Sequence, residues 1–218
     1  MENAPNNVSV LFPVLLQPIV DLFERMEERG PQGPNEVQAS HNENGAAVAI
    51  IVLAVLSIDS ALGRTRYVRE ENAREHAVKT LQRLNAGGLA DDIEELFVLR
   101  DAIAHNHLWE GSILSDPEKG LRYSSVQKLP GYGDEKYERT VDEEIRQTRR
   151  LHLDVVPRRM HRQTAVVVLR KCVEVLRFLQ RKDLNYLGSN DPHIACRFQG
   201  TDGFISFYEW VDRLQERG

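Results

Sequence analysis

Apolar residues recur every three or four positions along most of this chain, which is the spacing of one buried face of an α-helix. Stretches with this spacing predict helices at about 8–28, 45–63, 67–85, 92–109, 158–183 and 204–217. Pro13 and Pro18 fall inside the first stretch, and proline removes a backbone donor, so we expect the regular helix to begin near Pro18 or to kink there. The whole pattern predicts an all-α bundle of about six helices.

The second predicted helix is apolar on nearly every side through residues 46–56, as the central helix of a bundle must be. That run is too short to cross a bilayer and Asp59 soon follows it, so no membrane span is expected. Asp59 has two interpretations. It marks the point where the helix leaves the core, or it pairs with a basic residue of the fourth helix.

The periodicity changes after the fourth helix, where glycine and proline punctuate short stretches such as residues 121–127. Residues 110–157 are therefore predicted to be an irregular or β-hairpin insertion, with a short helix near 141–150, inside a single domain that spans 1–218. Residues 184–202 are predicted to form a loop.

The composition, 41% hydrophobic and 28% charged, is typical of a water-soluble globular protein. A formal net charge of −5 means that any RNA contact needs a local basic patch. The first residues do not resemble a secretion signal, and the chain has two cysteines, Cys172 and Cys196. We therefore expect a reduced, cytoplasmic setting, with Cys172 as a core residue.

One such basic segment lies between positions 145 and 163, where Asp154 is the single acid. A solvated charged face explains many arginine-rich stretches, and a track for the phosphate backbone of RNA is the alternative. The arginines of this segment are Arg146, Arg149, Arg150, Arg158, Arg159 and Arg162.

The fourth helix places Arg100, His105 and His107 inside the otherwise apolar stretch 97–109. Asp101 and His105 are four residues apart and share a helix face, so the carboxylate can fix the tautomer of the imidazole. An arginine beside a histidine suits a phosphodiester, because the guanidinium grips phosphate oxygens and the imidazole moves a proton near neutral pH. Arg100 also has a structural interpretation, as an ion-pair partner for Glu94, Glu95 or an acid elsewhere.

The run Arg100-Asp101-Ala102-Ile103-Ala104-His105, continued by Asn106, resembles the signature of the HEPN (higher eukaryotes and prokaryotes nucleotide-binding) superfamily. Members are small helical bundles, and many are metal-independent endoribonucleases that act as dimers, often as toxins or in phage defence. Others are inactive dimerisation or nucleotide-binding partners. A tyrosine often stands two residues after the histidine in toxins paired with a nucleotidyltransferase, and here that position is His107.

The resemblance implies an endoribonuclease in which the RNA 2′-hydroxyl attacks its own phosphate to give a 2′,3′-cyclic phosphate. Arg100 would stabilise charge on the phosphate, and His105 would act as general acid/base or hold the scissile group. Asp101 and Asn106 would orient His105 or bind the backbone, with His107 beside them. The expected partners are RNA, a second copy and an antitoxin or other protein. The rival function is a non-catalytic interaction module.

No metal or other cofactor is expected, because His105 and His107 are two apart and point away from each other on a helix. Val98, Ala102 and Trp109 form an apolar stripe opposite the one made by Leu96, Leu99 and Ile103. We therefore predict a two-fold dimer in which the first stripe faces a second copy and brings the arginines and histidines of both chains together.

Overall fold

The computed structural model describes residues 11–31, 37–71, 75–104, 109–118, 120–128, 134–182, 192–198 and 201–215. Within these residues the chain forms seven α-helices and three two-stranded antiparallel sheets. The prediction of a mostly helical fold of about six helices with a small hairpin is confirmed.

The centre of the bundle is α2 (His41–Val68), which packs against α1 (Phe12–Arg29) and α6 (Arg162–Lys182). Along α2, apolar residues such as Ile50, Ile51 and Ile58 are fully buried. The helix is longer than predicted at both ends. Its 28 residues, with a mean hydropathy of 2.3 over the most apolar window, are long and apolar enough to cross a membrane. Half of that window is buried inside the protein, and because the core helix of a soluble protein can have the same length and composition, a single such helix is weak evidence for a membrane span.

α1 begins at Phe12 and continues through Pro18, so the expectation that regular helix starts near Pro18 is wrong. Pro13 lies in the first turn, where its missing N–H has no partner to lose. The buried residues Leu16, Ile19 and Phe23 follow the predicted spacing and face the core. The predicted start near position 8 lies outside the described residues.

Two helices lead to the Arg100 region. α3 (Ala77–Arg83) is shorter than the predicted third helix, because Tyr67 and Val68 belong to α2. α4 (Gly88–Ala104) starts after Gly87, whose φ of 59° is a backbone conformation that glycine adopts without strain. The described part of α4 ends at Ala104, and the predicted helical end at Trp109 is wrong because Trp109 is the first residue of the next strand.

The insertion contains a hairpin of β1 (Trp109–Asp116) and β2 (Gly120–Lys128), then α5 (Glu135–Thr140). The helix predicted near 141–150 is wrong: β3 (Val141–Asp142) and β4 (Gln147–Thr148) pair around a turn. Asp142 Oδ1 accepts the backbone N–H of Glu144 at 3.0 Å inside that turn, a local bond that competes with helix formation.

A further hairpin lies near the C-terminus, where β5 (His193–Phe198) pairs with β6 (Thr201–Ser206) before α7 (Phe207–Gln215). The loop predicted at 184–202 is therefore wrong over residues 193–198 and 201–202. The last helix was predicted to begin at 204, but Phe204 lies on β6 and is 79% exposed. Cys172 is fully buried in the core, as predicted, and burial raises its pKa to about 12.

Candidate functional site

The guanidinium of Arg100 lies near the C-terminal end of α4 and is held on two sides. Its Nε and Nη2 atoms donate to Oδ1 of Asp101 at 2.9 and 2.5 Å. Its central carbon lies 4.8 Å from the centre of the Phe97 ring, within the range of a cation–π contact. The side chain is 23% exposed, so it is ordered by these contacts and still reaches solvent.

A lysine from the insertion joins this pair. Asp134 immediately precedes α5, and its carboxylate accepts the backbone N–H of Tyr137 at 3.0 Å and so caps the helix. The cap directs Lys136 to Asp101, with Nζ 3.7 Å from Oδ2, and to Asp134 at 3.5 Å. Two cations, Arg100 and Lys136, therefore meet at one carboxylate.

Arg100 was also interpreted as a structural ion-pair partner of Glu94, Glu95 or another acid. The acid with which it forms an ion pair is Asp101. Glu94 pairs with Arg139 at 2.6 Å. Glu95 is 1% exposed, and its two oxygens accept the backbone N–H groups of Arg150 and Leu151, each at 2.9 Å. Asp101 was expected to pair with His105, but its partners among the described residues are Arg100 and Lys136.

His105, Asn106 and His107 lie outside the described residues, as does the side chain of Trp109. The predicted roles of these three polar residues therefore stay predictions. The last described residue of α4 is Ala104, which immediately precedes His105 in the sequence. Arg100 and Ala104 are four residues apart, so they share one face of the helix.

The structure adds one imidazole that the sequence pattern did not single out. His76 precedes α3, and its Nδ1 accepts the backbone N–H of Val78 at 3.3 Å. Its ring centre lies 5.1 Å from that of Phe97, the ring on which Arg100 also rests. Burial lowers the pKa of His76 below its usual 6.5, and the nearby cations Lys136 and Arg100 lower it further.

Asp59 lies in the C-terminal half of α2, near enough to the His76 imidazole to act on it electrostatically. Its side chain is 43% exposed, and its ion pair is with Arg66 of its own helix at 4.0 Å. Of the two interpretations of Asp59, emergence from the core fits. No ion pair joins it to α4 among the described residues.

The arginine-rich segment does not form one basic track. Three of its six arginines form ion pairs: Arg150 with Asp92 at 2.7 Å, Arg162 with Glu27 at 2.9 Å, and Arg159 with Asp154 of the same segment at 2.6 Å. The first two pairs attach the segment to α4 and α1. The three pairs favour the structural interpretation for half of the cluster.

The other three arginines differ. Arg149 and Arg158 are exposed, and neither side chain has an ion pair within the described parts of the chain. Arg146 is partly buried, and its Nε has no hydrogen-bond partner in the same residues. Arg149 and Arg158 are therefore the positions of this segment that can contact a phosphate backbone.

A pocket of about 360 Å³ opens beside this segment, lined by Gln38, Gln147, His152, His161 and Gln163 among others. Gln38 lies just before α2, whereas Asp59 near the Arg100 site lies about 25 Å further along that helix. The pocket is therefore separate from the Arg100 site. The amides and imidazoles around the pocket can form hydrogen bonds. Arg100, however, lies on α4 and does not line this pocket.

The predicted dimer contacts need correction. Val98 and Ala102 are 2% and 0% exposed, because α4 is covered on that side by its own chain. The prediction that these two residues face a second copy is wrong. Ala104 is exposed on the face of Arg100, so the surface open to a partner lies at the end of the helix.

Within the described residues, no group of three or more His, Cys, Asp or Glu side chains is arranged to hold a metal ion. Comparison of the chain with protein-family models, curated proteins and solved structures finds no match in any of the three. The family resemblance therefore rests on the amino-acid sequence from Arg100 to Asn106.

Proposed function

We propose that this chain is a metal-independent endoribonuclease of the HEPN type. In the reaction, the 2′-oxygen of a ribose attacks the adjacent phosphorus while a base takes its proton. The bond from phosphorus to the 5′-oxygen breaks, and that oxygen receives a proton. The products are a 2′,3′-cyclic phosphate and a 5′-hydroxyl, with no net redox change.

The observation that carries this proposal is that the Arg100 guanidinium is held in one position and is still partly exposed. The guanidinium is held by Asp101 and Phe97, yet it is partly exposed at the end of α4 and lies beside Lys136. A fixed cation in a partly dry site stabilises developing charge on a phosphate better than a mobile surface arginine does.

Each residue then has a role. Arg100 stabilises the charge on the phosphate, and His105 acts as general acid/base. Asp101 orients Arg100, which differs from its predicted role toward His105. Asn106 and His107 support the histidine or the RNA backbone. Arg149 and Arg158 extend the RNA contact.

The functional unit is a homodimer in which the ends of two α4 helices approach each other, so that both chains contribute to one phosphate. A cytoplasmic toxin or phage-defence role, with an antitoxin or partner protein to restrain it, fits such an enzyme. No cofactor enters the proposal.

A second candidate function is a non-catalytic interaction module. The β1–β2 hairpin favours it, because Ile113, Leu114 and Leu121 are 47%, 49% and 41% exposed. A two-stranded hairpin has little stability by itself, and exposed apolar residues on it are suited to contact with a partner.

Cleavage of single-stranded RNA in EDTA separates the two functions. We expect wild type to cut, and Arg100→Ala and His105→Ala to lose about a hundredfold or more in rate while staying folded. Arg139→Ala is the matched control, because it removes a nearby exposed arginine that pairs with Glu94. Absence of wild-type cleavage, or equal activity in Arg100→Ala and Arg139→Ala, would reject the enzyme.

A further inference from the structure

His76 lies at the Arg100 site although it comes from a different part of the chain. Its imidazole and the guanidinium of Arg100 rest against the same Phe97 ring, at 5.1 and 4.8 Å from the ring centre. Lys136 is near enough to act electrostatically on the imidazole. Three parts of the chain therefore contribute one nitrogen-bearing side chain each to the surroundings of Phe97 and Asp101: His76 before α3, Arg100 on α4 and Lys136 on α5.

The hydrogen bond at Nδ1 determines what His76 can offer. Because Nδ1 accepts the backbone N–H of Val78, the proton of the neutral imidazole is on Nε2. Nε2–H is therefore a donor that carries no full charge. Among the described residues, no hydrogen bond of this nitrogen is seen.

We propose that His76, Arg100 and Lys136 form a binding subsite for a phosphate group, in which Nε2–H of His76 donates to a phosphate oxygen. Under the proposed function this group is the scissile phosphate or its neighbour in RNA, and that identification rests on the proposed function. His76 is then a binding residue for the phosphate and takes no proton from the 2′-hydroxyl.

The donors of Arg100 that remain support an anion at this place. Asp101 occupies Nε and Nη2, and Nη1 has no hydrogen-bond partner among the described residues, so it can bind a ligand. Lys136 is 3.7 Å from Asp101 and 3.5 Å from Asp134, too long for strong hydrogen bonds, so its ammonium can turn to an incoming oxygen. A phosphate exchanges these long contacts for short ones.

A neutral donor also suits the local charges. The groups that act on His76 are Asp59 from α2, Arg100 and Glu94 from α4, and Lys136 from α5. A third full cation beside Arg100 and Lys136 would be repelled, and protonation of Nδ1 would break the bond to Val78. A neutral imidazole adds a hydrogen bond without either cost.

A phosphate bound at this subsite should change the pKa of the His76 imidazole. Nearby negative charge favours the protonated form, so phosphate should raise the lowered pKa of His76. The probe is inorganic phosphate, added to wild type at constant ionic strength with sodium chloride as the reference salt. The NMR titration of the His76 ring, assigned from its loss in the His76→Asn spectrum, should move upward by about one pH unit.

His76→Asn is the decisive variant because it separates capping from binding. An asparagine side chain still accepts the N–H of Val78, so α3 keeps its cap, but the distal donor is lost. We expect an unchanged melting temperature, about tenfold weaker phosphate binding and a similar rise in KM for RNA. His76→Ala should lower the melting temperature as well, because it loses both interactions.

Arg100→Ala and Lys136→Ala should each abolish the phosphate-dependent shift of His76 in the titration. Wild type without that shift, or His76→Asn with wild-type phosphate affinity, would overturn the subsite. If RNA is still cut in that case, only the subsite fails. If the shift is present and RNA is not cut, the enzyme fails and the phosphate subsite stands.

Discussion

Arg100 donates two hydrogen bonds to one carboxylate oxygen of Asp101, the residue that follows it in α4. Consecutive residues on a helix point about 100° apart, so this pair forms only because the long arginine side chain bends toward its neighbour. The bend lays the guanidinium over Phe97. Asp101 therefore sets the position of the proposed phosphate-binding arginine.

Removal of this carboxylate should impair positioning more than stability. For Asp101→Ala we expect kcat for RNA cleavage to fall about tenfold or more, because Arg100 loses its fixed orientation. The free energy of unfolding should change by less than about 1 kcal/mol, since the pair is partly exposed. Steady-state kinetics and urea unfolding measure the two effects.

The control for Asp101→Ala is Asp91→Ala, which removes an exposed acid at the other end of the same helix. It should leave kcat unchanged. Equal kcat values in the two variants would mean that Asp101 does not position Arg100.

Glu95 connects the insertion to α4, and its loss should affect stability. Glu95→Ala leaves the backbone N–H groups of Arg150 and Leu151 without their acceptor, and we expect a loss of about 2–3 kcal/mol in unfolding free energy. Glu95→Gln keeps one acceptor oxygen and should lose about 1 kcal/mol. If both variants unfold at the wild-type urea concentration, these two bonds contribute nothing to stability.

Helices were predictable from the sequence because their signal is local. The spacing of Leu16, Ile19 and Phe23 alone indicates which face of α1 is buried. The β5 strand was missed although Ile194 and Cys196 are buried and alternate with exposed neighbours, which is the period of a strand. That alternation spans few residues, so the loop-forming residues around it outweighed it.

The candidate site was predictable only in part, because its members come from separate elements. Arg100 and Asp101 could be identified from the run that continues to His105. Lys136 reaches Asp101 only after α5 folds against α4, and His76 meets Phe97 only after α3 packs on the same helix. No spacing within the sequence encodes those contacts.

For the arginine-rich segment, the sequence predicted more than the structure shows, again because contacts between separate elements cannot be seen in the sequence. Local composition overstated its basic character, because Asp92 and Glu27, distant in sequence, neutralise Arg150 and Arg162. Charge within a short window therefore predicts a nucleic-acid surface poorly when the counter-charges arrive from other helices.

Arg149 and Arg158, the exposed arginines of that segment with no ion pair among the described residues, allow a sharper test of RNA binding. The double variant Arg149→Glu and Arg158→Glu should weaken RNA binding and lower the slope of log Kd against log salt by about one or two. Filter binding at several sodium chloride concentrations measures this slope, and thermal unfolding should be nearly unchanged.

Arg150→Ala and Arg162→Ala serve as the comparison for the exposed pair. They break ion pairs with Asp92 and Glu27, so we expect lower stability with an unchanged salt slope. If the double variant Arg149→Glu and Arg158→Glu leaves the salt slope unchanged, the whole segment has a structural role and does not bind RNA.

Substitutions at Ala102 and Ala104 distinguish an effect on folding from an effect on dimerisation. Ala102→Glu buries a carboxylate in the core and should lower the unfolding free energy by about 3 kcal/mol or more. Ala104→Glu changes an exposed residue, so it should fold normally and lower the mass measured by light scattering from dimer to monomer. A wild type that is monomeric at micromolar concentration and still cuts RNA would remove the shared-site dimer.

The central claim is that a ribose 2′-hydroxyl, and not water or a metal-bound hydroxide, breaks the RNA backbone at Arg100 and His105. Its most direct test is cleavage in EDTA of an RNA oligonucleotide and of the same oligonucleotide with one 2′-deoxyribose before the scissile phosphate, with product ends identified by mass spectrometry. We expect a 2′,3′-cyclic phosphate and a 5′-hydroxyl from the first, and no cleavage at that position in the second. Products with a 3′-hydroxyl and a 5′-phosphate, or equal cleavage of the deoxy substrate, would contradict it.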